Sequence, residues 1–349
     1  MLWVGIGISV VKVALVLFVV LTLVAYLTYA ERRISAFIQD RLGPNRVGPF
    51  GLLQPLADGA KFIFKEDIIP DAANKPFYIL APAVSLVTAI IALAVIPIGY
   101  GFDTTLFGLL EEPIRIKFQI ADINAGLLYV LAITSLGVYG IVLGGWSSNS
   151  KYSLLGGLRS AAQMISYELS LGLSIIGVIA IAGSLRLNDI VDAQAKVWFA
   201  IPQVLGFLIF LISSFAETNR LPFDLPEAEP ELVAGYHTEY SSMKFAMFFM
   251  AEYTNMITAS ALTVCLFLGG WYPLPFGGWF GIDVNKYWFL PPIVFIGKVL
   301  FLLFFFIWVR WTLPRFRYDQ LMRLGWKVLF PLAVLNLIIT SAILVFVYK

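Results

Sequence analysis

Charged residues are scarce in this 349-residue sequence, where Asp, Glu, Lys and Arg together make up only 13%. Soluble globular domains carry about 25% charged residues. Here 60% of the residues are hydrophobic and the mean hydropathy is +0.86. Lipid must therefore be the main solvent of the chain, which excludes an ordinary soluble domain.

Cysteine and histidine occur once each, as Cys265 and His237. One cysteine excludes a disulfide within the chain, and an iron–sulfur cluster or structural zinc site needs about four ligands of these types. A cytochrome with two histidine ligands is excluded as well. The sequence has no phosphate-binding or dinucleotide-binding glycine motif, and its net charge of +2 indicates no nucleic-acid partner. We expect this chain to bind no redox cofactor.

Apolar runs long enough to cross a bilayer recur along the whole sequence. They predict an all-α polytopic membrane protein with about eight transmembrane helices, forming one transmembrane domain over residues 1–349. The first run should be a retained span, because Lys12 interrupts it and Glu31-Arg32-Arg33 ends it. The predicted spans lie near residues 3–29, 79–99, 123–145, 160–182, 199–216, 245–269, 289–309 and 328–347.

Most of the 24 lysines and arginines lie in the connections that follow the first, third, fifth and seventh spans. By the positive-inside rule these connections face the cytoplasm, and both termini face the periplasmic side. The outer connections 99–121 and 270–288 are weakly polar, so we expect them to be simple turns without chemistry.

The first cytoplasmic connection, about 31–78, contains an amphipathic segment. Gln54, Asp58, Lys61 and Lys65 recur at helical spacing, with apolar residues between them. The predicted helix of about four turns is too short to span a bilayer and should lie in the interface. It is either a structural interfacial helix or a lid over an opening that faces lipid.

Five ionisable residues lie in or at the ends of predicted spans, where a charge costs on the order of 3 kcal/mol. Each glutamate alone could simply hydrogen-bond a neighbouring helix, but several together favour a proton path. The lysine should pair with one of the glutamates, either as a switchable counter-charge or as a static ion pair. These residues are Glu31, Glu168, Glu217, Glu252 and Lys298.

The third cytoplasmic connection, about 217–244, is acidic and has no lysine or arginine from 221 to 243. Its carboxylates must repel one another and titrate as a group. A solvated acidic loop is the common interpretation of such a run, but its prolines and apolar residues favour an ordered, partly buried segment. We interpret His237 as a structural hydrogen-bonding residue. The carboxylates are Asp224, Glu227, Glu229, Glu231 and Glu239.

The connection before the eighth span is rich in arginine and aromatic residues, and it includes Arg315, Arg317 and Asp319. Anchoring by the positive-inside rule explains the arginines. A docking surface for an acidic soluble partner is the alternative, since guanidinium groups suit interface ion pairs.

Seven motifs carry a family resemblance: Glu31-Arg32-Arg33, Arg41 to Asp58, Gly145 to Tyr152, Ser166-Tyr167-Glu168, Glu217 to Glu227, Met250-Ala251-Glu252-Tyr253 and Pro314 to Met322. Over essentially its entire length, the chain resembles the quinone-chamber subunit of respiratory complex I, the NADH:quinone oxidoreductase. The mitochondrial equivalent of that subunit is NADH dehydrogenase subunit 1.

The resemblance implies a subunit at the junction of the membrane and hydrophilic arms of the complex, where ubiquinone or menaquinone is reduced. Flavin and iron–sulfur clusters would lie in partner subunits, in agreement with the missing ligands. Quinone would enter from the bilayer, between the first and sixth spans and the amphipathic helix. The quinone-binding residues implied are Arg32, Phe37, Arg41, Asp58, Phe249 and Met250.

The resemblance also implies a proton path toward antiporter-like membrane subunits through Glu217, Glu168 and Glu252. The third span has no carboxylate in its apolar run, so a proton step there would need water or Tyr129. The acidic residues that would link the path to the quinone chamber are Asp224, Glu227, Glu229 and Glu231.

Two other functions stay open at this point. Membrane-bound hydrogenases and formate hydrogenlyases have a related subunit, although the Pro314 to Met322 motif favours complex I. A stand-alone ion transporter could use the same buried carboxylates without a redox partner. No segment resembles a transit peptide, so we expect a bacterial plasma membrane.

Overall fold

A computed structural model of the chain describes residues 2–104, 114–226, 232–276 and 287–347. These ranges form a helical bundle, and the predicted all-α class is confirmed. Two short strands, β1 (Phe102–Thr104) and β2 (Ile114–Ile116), pair antiparallel outside the bundle. The helices are α1 (Leu2–Ile38), α2 (Gln54–Phe64), α3 (Lys75–Ala92), α4 (Gly126–Ser147), α5 (Lys151–Ala182), α6 (Leu187–Ala193), α7 (Val204–Glu217), α8 (Ser242–Phe267), α9 (Leu290–Thr312), α10 (Tyr318–Arg323) and α11 (Phe330–Val347).

A helix lies in each of the eight predicted spans. Within the described ranges, six helical segments are long and apolar enough to cross a membrane. The other two are α7, with only 14 residues, and α8, whose 26 residues include Lys244 and Glu252. The prediction of a polytopic membrane protein is therefore confirmed.

The core of the bundle lies where α5 packs against α4, α7 and α11, and where α3 packs against α4 and α8. Tyr167 of α5, Phe210 of α7 and Phe267 of α8 are fully buried in one cluster. The rings of Phe215 and Phe306 stack 3.9 Å apart and join α7 to α9. By contrast, much of α1 is exposed and apolar, as expected of a helix whose outer side contacts lipid.

The predicted amphipathic helix is α2, and it lies against the ends of α1 and α8. Arg32 of α1 forms an ion pair with Asp58 of α2, with 2.6 Å between Nη1 and Oδ2. The Ser242 hydroxyl at the start of α8 donates to the Phe62 carbonyl, at 2.9 Å. Phe64 at the end of α2 is 89% exposed, so α2 presents apolar surface outward, as an interfacial helix does.

The outer connection 99–121 is more than a simple turn, so that expectation was wrong. It contains the strand pair and leads into a polar network in which Asp122 accepts hydrogen bonds from Arg186 and Lys117. The hydrogen-bonded Arg186 guanidinium holds the pKa of Asp122 well below its usual range. Asn188 also donates to Asp122, at 3.2 Å. No periodic pattern in the sequence indicates this network, because its partners are distant in the chain.

Candidate functional site

The segment that follows α7 is folded into the protein by a buried amide. Gln163 Nε2 of α5 donates to the carbonyl oxygens of Ala216 and Phe223, each at 2.7 Å. The Phe223 and Phe316 rings stack 5.5 Å apart, and the Phe316 N–H donates to the Pro222 carbonyl. The described part of the acidic connection is therefore ordered and buried, as the sequence predicts.

Arg220, in this segment, connects two buried carboxylates. Its side chain is only 3% exposed, and its Nε lies 2.6 Å from Glu252 Oε1. Its Nη1 lies 3.2 Å from Glu31 Oε2. The guanidinium also stacks over the Tyr253 ring, 4.2 Å from the centroid. One cation thus joins the end of α1 to the middle of α8.

Glu31 has two more partners in this cluster. The Tyr253 hydroxyl donates to Glu31 Oε2 at 2.6 Å, and Arg310 of α9 donates to Oε1. Two guanidinium groups therefore balance the carboxylates of Glu31 and Glu252. Buried ions need such pairing, because an isolated charge in this environment would be strongly unfavourable.

Glu217 and Glu168 form the second part of the site. Glu217, the last residue of α7, lies close enough to Glu168 for their negative charges to interact. The Ser135 hydroxyl of α4 donates to Glu168 Oε1. Glu217 also lines two small cavities, and Glu252 lines one of them. The structure therefore brings three predicted proton-path glutamates into one region.

Asp224 is paired within the chain. Its Oδ2 lies 2.8 Å from Arg315 Nη2, so the arginine that we considered for docking also holds the acidic segment. Arg317 and Asp319 lie 3.5 Å apart and are 78% and 62% exposed, and their docking role stays a prediction. The remaining predicted acidic residues of this segment, Glu227, Glu229 and Glu231, lie outside the described residues.

The residues implied for quinone binding lie where α1, α2 and α8 meet. Arg32 and Asp58 form the ion pair between α1 and α2. On α8, Phe249 packs against His237, with ring centroids 5.6 Å apart, and Met250 packs against the main core. Quinone binding by these residues stays a prediction.

Phe37 and Arg41 are more peripheral. Phe37 is exposed near the end of α1, and the Arg33 guanidinium lies 5.4 Å from its ring centroid. Arg41 is exposed just after α1, where its backbone N–H donates to the Ala36 carbonyl. The two residues therefore border the meeting point of α1 and α2 without entering the described core.

Lys298 does not pair with a glutamate, so that prediction was wrong. Its ammonium donates to the backbone carbonyls of Leu268, Gly270 and Tyr272, and it lies 4.1 Å from the Trp198 ring centroid. The last carbonyls of a helix lack partners within the helix and carry partial negative charge. Lys298 satisfies these groups where α8 ends.

Several residues of the site escaped the sequence analysis. We assigned no role to Arg220, Tyr253 or Ser135, and Arg310 only a surface role. The available signal was that Arg220 is the only basic residue between α7 and Lys244. Among the described residues, no group of three or more His, Cys, Asp or Glu could hold a metal ion.

Comparison with known proteins gives consistent matches. A family model described as NADH dehydrogenase matches residues 11–341. Three relatives are NADH-quinone oxidoreductase subunits, each designated H. The one from Geobacter metallireducens is 56% identical over 97% of both chains. The one from Cytophaga hutchinsonii is 51% identical over 92% of both chains. The one from Leptospira biflexa is 56% identical over 92% of this chain and 90% of its own.

Proposed function

This chain belongs to the NADH dehydrogenase family, which includes the matching membrane subunit of NADH-quinone oxidoreductase, and we propose that it couples quinone reduction to proton translocation in that enzyme complex. The relatives are named as subunits of an NADH-quinone oxidoreductase, so the hydrogenase and transporter alternatives are not pursued. The chain acts as a membrane subunit, and the redox cofactors belong to its partners.

Quinone binding is proposed for the region where α1, α2 and α8 meet. The Arg32–Asp58 ion pair ties the amphipathic helix to α1, and Ser242 ties it to α8. Exposed apolar residues of α2 face outward beside this junction, which supports access from lipid. Arg32, Asp58, Phe249 and Met250 would contact the quinone, with Phe37 and Arg41 near its entry.

The observation that carries the coupling proposal is that Arg220 pairs with both Glu31 and Glu252. Glu31 and the quinone-binding residue Arg32 are neighbours on α1, whereas Glu252 lines the cavity that Glu217 also lines. Arg220 therefore connects the quinone side of the protein to the proposed proton path.

The coupling works through charge. A unit charge about 4 Å away changes the energy of a carboxylate by about 4 kcal/mol at an effective dielectric constant of 20. When quinone reduction changes the charge near Glu31, Arg220 is drawn toward or away from that carboxylate. Glu252 then loses or gains its counter-charge and takes up or releases a proton. Glu217 and Glu168 pass that change onward.

The partners follow from this role. Soluble subunits that carry flavin and iron–sulfur clusters would deliver electrons to ubiquinone or menaquinone, and antiporter-like membrane subunits would receive the proton signal. We place the chain in a bacterial plasma membrane, with both termini on the periplasmic side. The distribution of lysine and arginine among the connections supports this orientation.

Glu217→Gln in the complete complex tests the proposal. Reconstituted in vesicles, the variant should oxidise NADH with a soluble electron acceptor at the normal rate but lose proton pumping driven by quinone. Glu66→Gln, which removes an exposed carboxylate of the first connection, is the control and should pump normally. Full pumping by Glu217→Gln would contradict the proposal.

A further inference from the structure

Two cavities lie on either side of Glu217, and both have room for water. Each has a volume of about 20 Å³, and a water molecule needs roughly 10–15 Å³ on this measure. Glu217, Thr218 and Asn255 line both cavities. We call the cavity that reaches Glu252 the inner cavity and the one that reaches Thr134 the far cavity.

The inner cavity contains a polar group that needs a partner. Ser85 of α3 is only 5% exposed, and its hydroxyl makes no hydrogen bond to any residue that the structure describes. A buried polar group without a partner costs about 1–3 kcal/mol. A water in the inner cavity would relieve that cost, because Glu252, Glu217 and Asn255 provide further polar contacts.

The far cavity is lined by hydroxyl groups whose protons are already used. Thr134, Ser214 and Thr258 each donate to a backbone carbonyl of their own helix. Their oxygens can therefore accept, but a donor has to come from elsewhere. A water supplies two such donors, one for a hydroxyl oxygen and one for the Glu217 carboxylate.

Asn255 stands between the two cavities with its amide uncommitted. Its side chain makes no hydrogen bond within the described ranges, although it is partly buried on α8. An amide can donate to one water and accept from another. Since an amide does not titrate near neutral pH, it orients waters without trapping a proton.

We propose that one ordered water occupies each cavity and that Asn255 positions both of them against Glu217, which rests on the proposed coupling function. Protonated Glu252 gives its proton to the inner water, which releases one of its own to the Glu217 carboxylate. The far water repeats this exchange toward Thr134 and the Ser135–Glu168 pair. One proton moves and each water is regenerated. Asn255 is a positioning residue, and Ser85 anchors the inner water.

Substitution of Asn255 tests the functional part of the proposal in the complete complex. Asn255→Leu keeps the volume but removes the polar groups, and coupled proton pumping should fall by about tenfold or more, as for other misplaced reactants. Asn255→Ser, which keeps a polar group and leaves space for another water, should restore most of the pumping. Thr254→Val, at a neighbouring buried residue that lines neither cavity, is the matched control and should pump normally.

A high-resolution electron microscopy map of the wild-type complex tests the hydration sites directly. It should show density in both cavities about 2.7–3.1 Å from Asn255 and Glu217. Absence of both densities, in a map that resolves other internal waters, would overturn the proposal even where Asn255→Leu fails to assemble.

The two proposals fail in different ways. If Glu217→Gln pumps fully, the proposed function is wrong. If Glu217→Gln loses pumping but Asn255→Leu pumps like the wild type, only the positioning role of Asn255 is wrong. If Asn255→Ser and Asn255→Leu are equally defective, the residue is needed for packing and not for positioning water.

Discussion

At the scale of single residues, Arg220 decides the energetics of the site. Its guanidinium is buried between Glu31 and Glu252, and Arg310 supplies a second cation to Glu31. A buried ion pair is not by itself strongly stabilising, because desolvation offsets the attraction. Removing one member is nevertheless costly, since it leaves the other charges without compensation.

We expect Arg220→Met to lower the stability of the assembled subunit by roughly 3–5 kcal/mol, because Glu252 loses its cation and Glu31 loses one of two. Thermal unfolding of the purified complex measures this change. Arg317→Met removes an exposed arginine and should have little effect. Adding Glu252→Gln to Arg220→Met should recover part of the loss. If the double variant recovers nothing, the cost does not come from the uncompensated carboxylate.

The sequence revealed the acidic half of this cluster more readily than the basic half. Glu168 and Glu252 stand out because they interrupt apolar runs, and Glu31 and Glu217 because they end such runs. Arg220 lies among polar residues in a turn, where an arginine is ordinary. Its burial depends on Glu31, 189 positions away in the chain, and no local pattern reports such a contact.

At the scale of elements, the end of α8 shows why Lys298 was misjudged. Lysine in an apolar run suggests a carboxylate partner, because only charged side chains are visible as counter-charges in a sequence. The actual partners are carbonyls of the turn that contains Gly269 and Gly270, both with positive φ. Backbone groups at helix ends are equally strong acceptors, but their location depends on where the helix stops.

Element boundaries were predictable where composition alone determines them. The predicted amphipathic helix corresponds to α2, Gln54–Phe64, because its polar residues recur at helical spacing. The fifth span was predicted from residue 199, whereas α7 begins at Val204, just after Pro202. A proline is not readily accommodated inside a helix, so hydropathy alone placed this start too early.

Helix α5 carries two glycines that should respond oppositely to alanine. A Cβ on Gly156 would lie 2.6 Å from the Tyr236 backbone nitrogen, whereas a Cβ on Gly172 would have nothing within 4 Å. Alanine is favoured over glycine within helices by about 1 kcal/mol. We expect Gly172→Ala to be neutral or stabilising, and Gly156→Ala to be destabilising because rigid backbone must move.

Hydrogen exchange of the segment 232–240, together with thermal unfolding, measures the two glycine variants. Gly156→Ala should speed exchange in that segment and lower the unfolding temperature, while Gly172→Ala leaves both unchanged or slightly improved. Equal effects of the two substitutions would show that α5 and the turn around Tyr236 are not packed as closely as the structure indicates.

At the scale of the whole molecule, the helical bundle presents an apolar exterior and collects most of its basic residues on one side. This asymmetry is the basis of the predicted orientation. The only cysteine, Cys265, is fully buried in α8. Cysteines introduced in connections can therefore be labelled without first removing the native one.

Lys65 and Lys196 form a matched pair for testing orientation, because both are exposed lysines in connections predicted to face opposite sides. We expect a thiol reagent that cannot cross the inner membrane to label Lys196→Cys in cells whose outer membrane has been opened. Lys65→Cys should be labelled only after the inner membrane is opened too, and the wild-type chain in neither case. The reverse pattern would place the termini in the cytoplasm. The Arg32–Asp58 junction would then face the periplasm, where soluble cytoplasmic subunits could not deliver electrons, so the same result would also contradict the proposed quinone site.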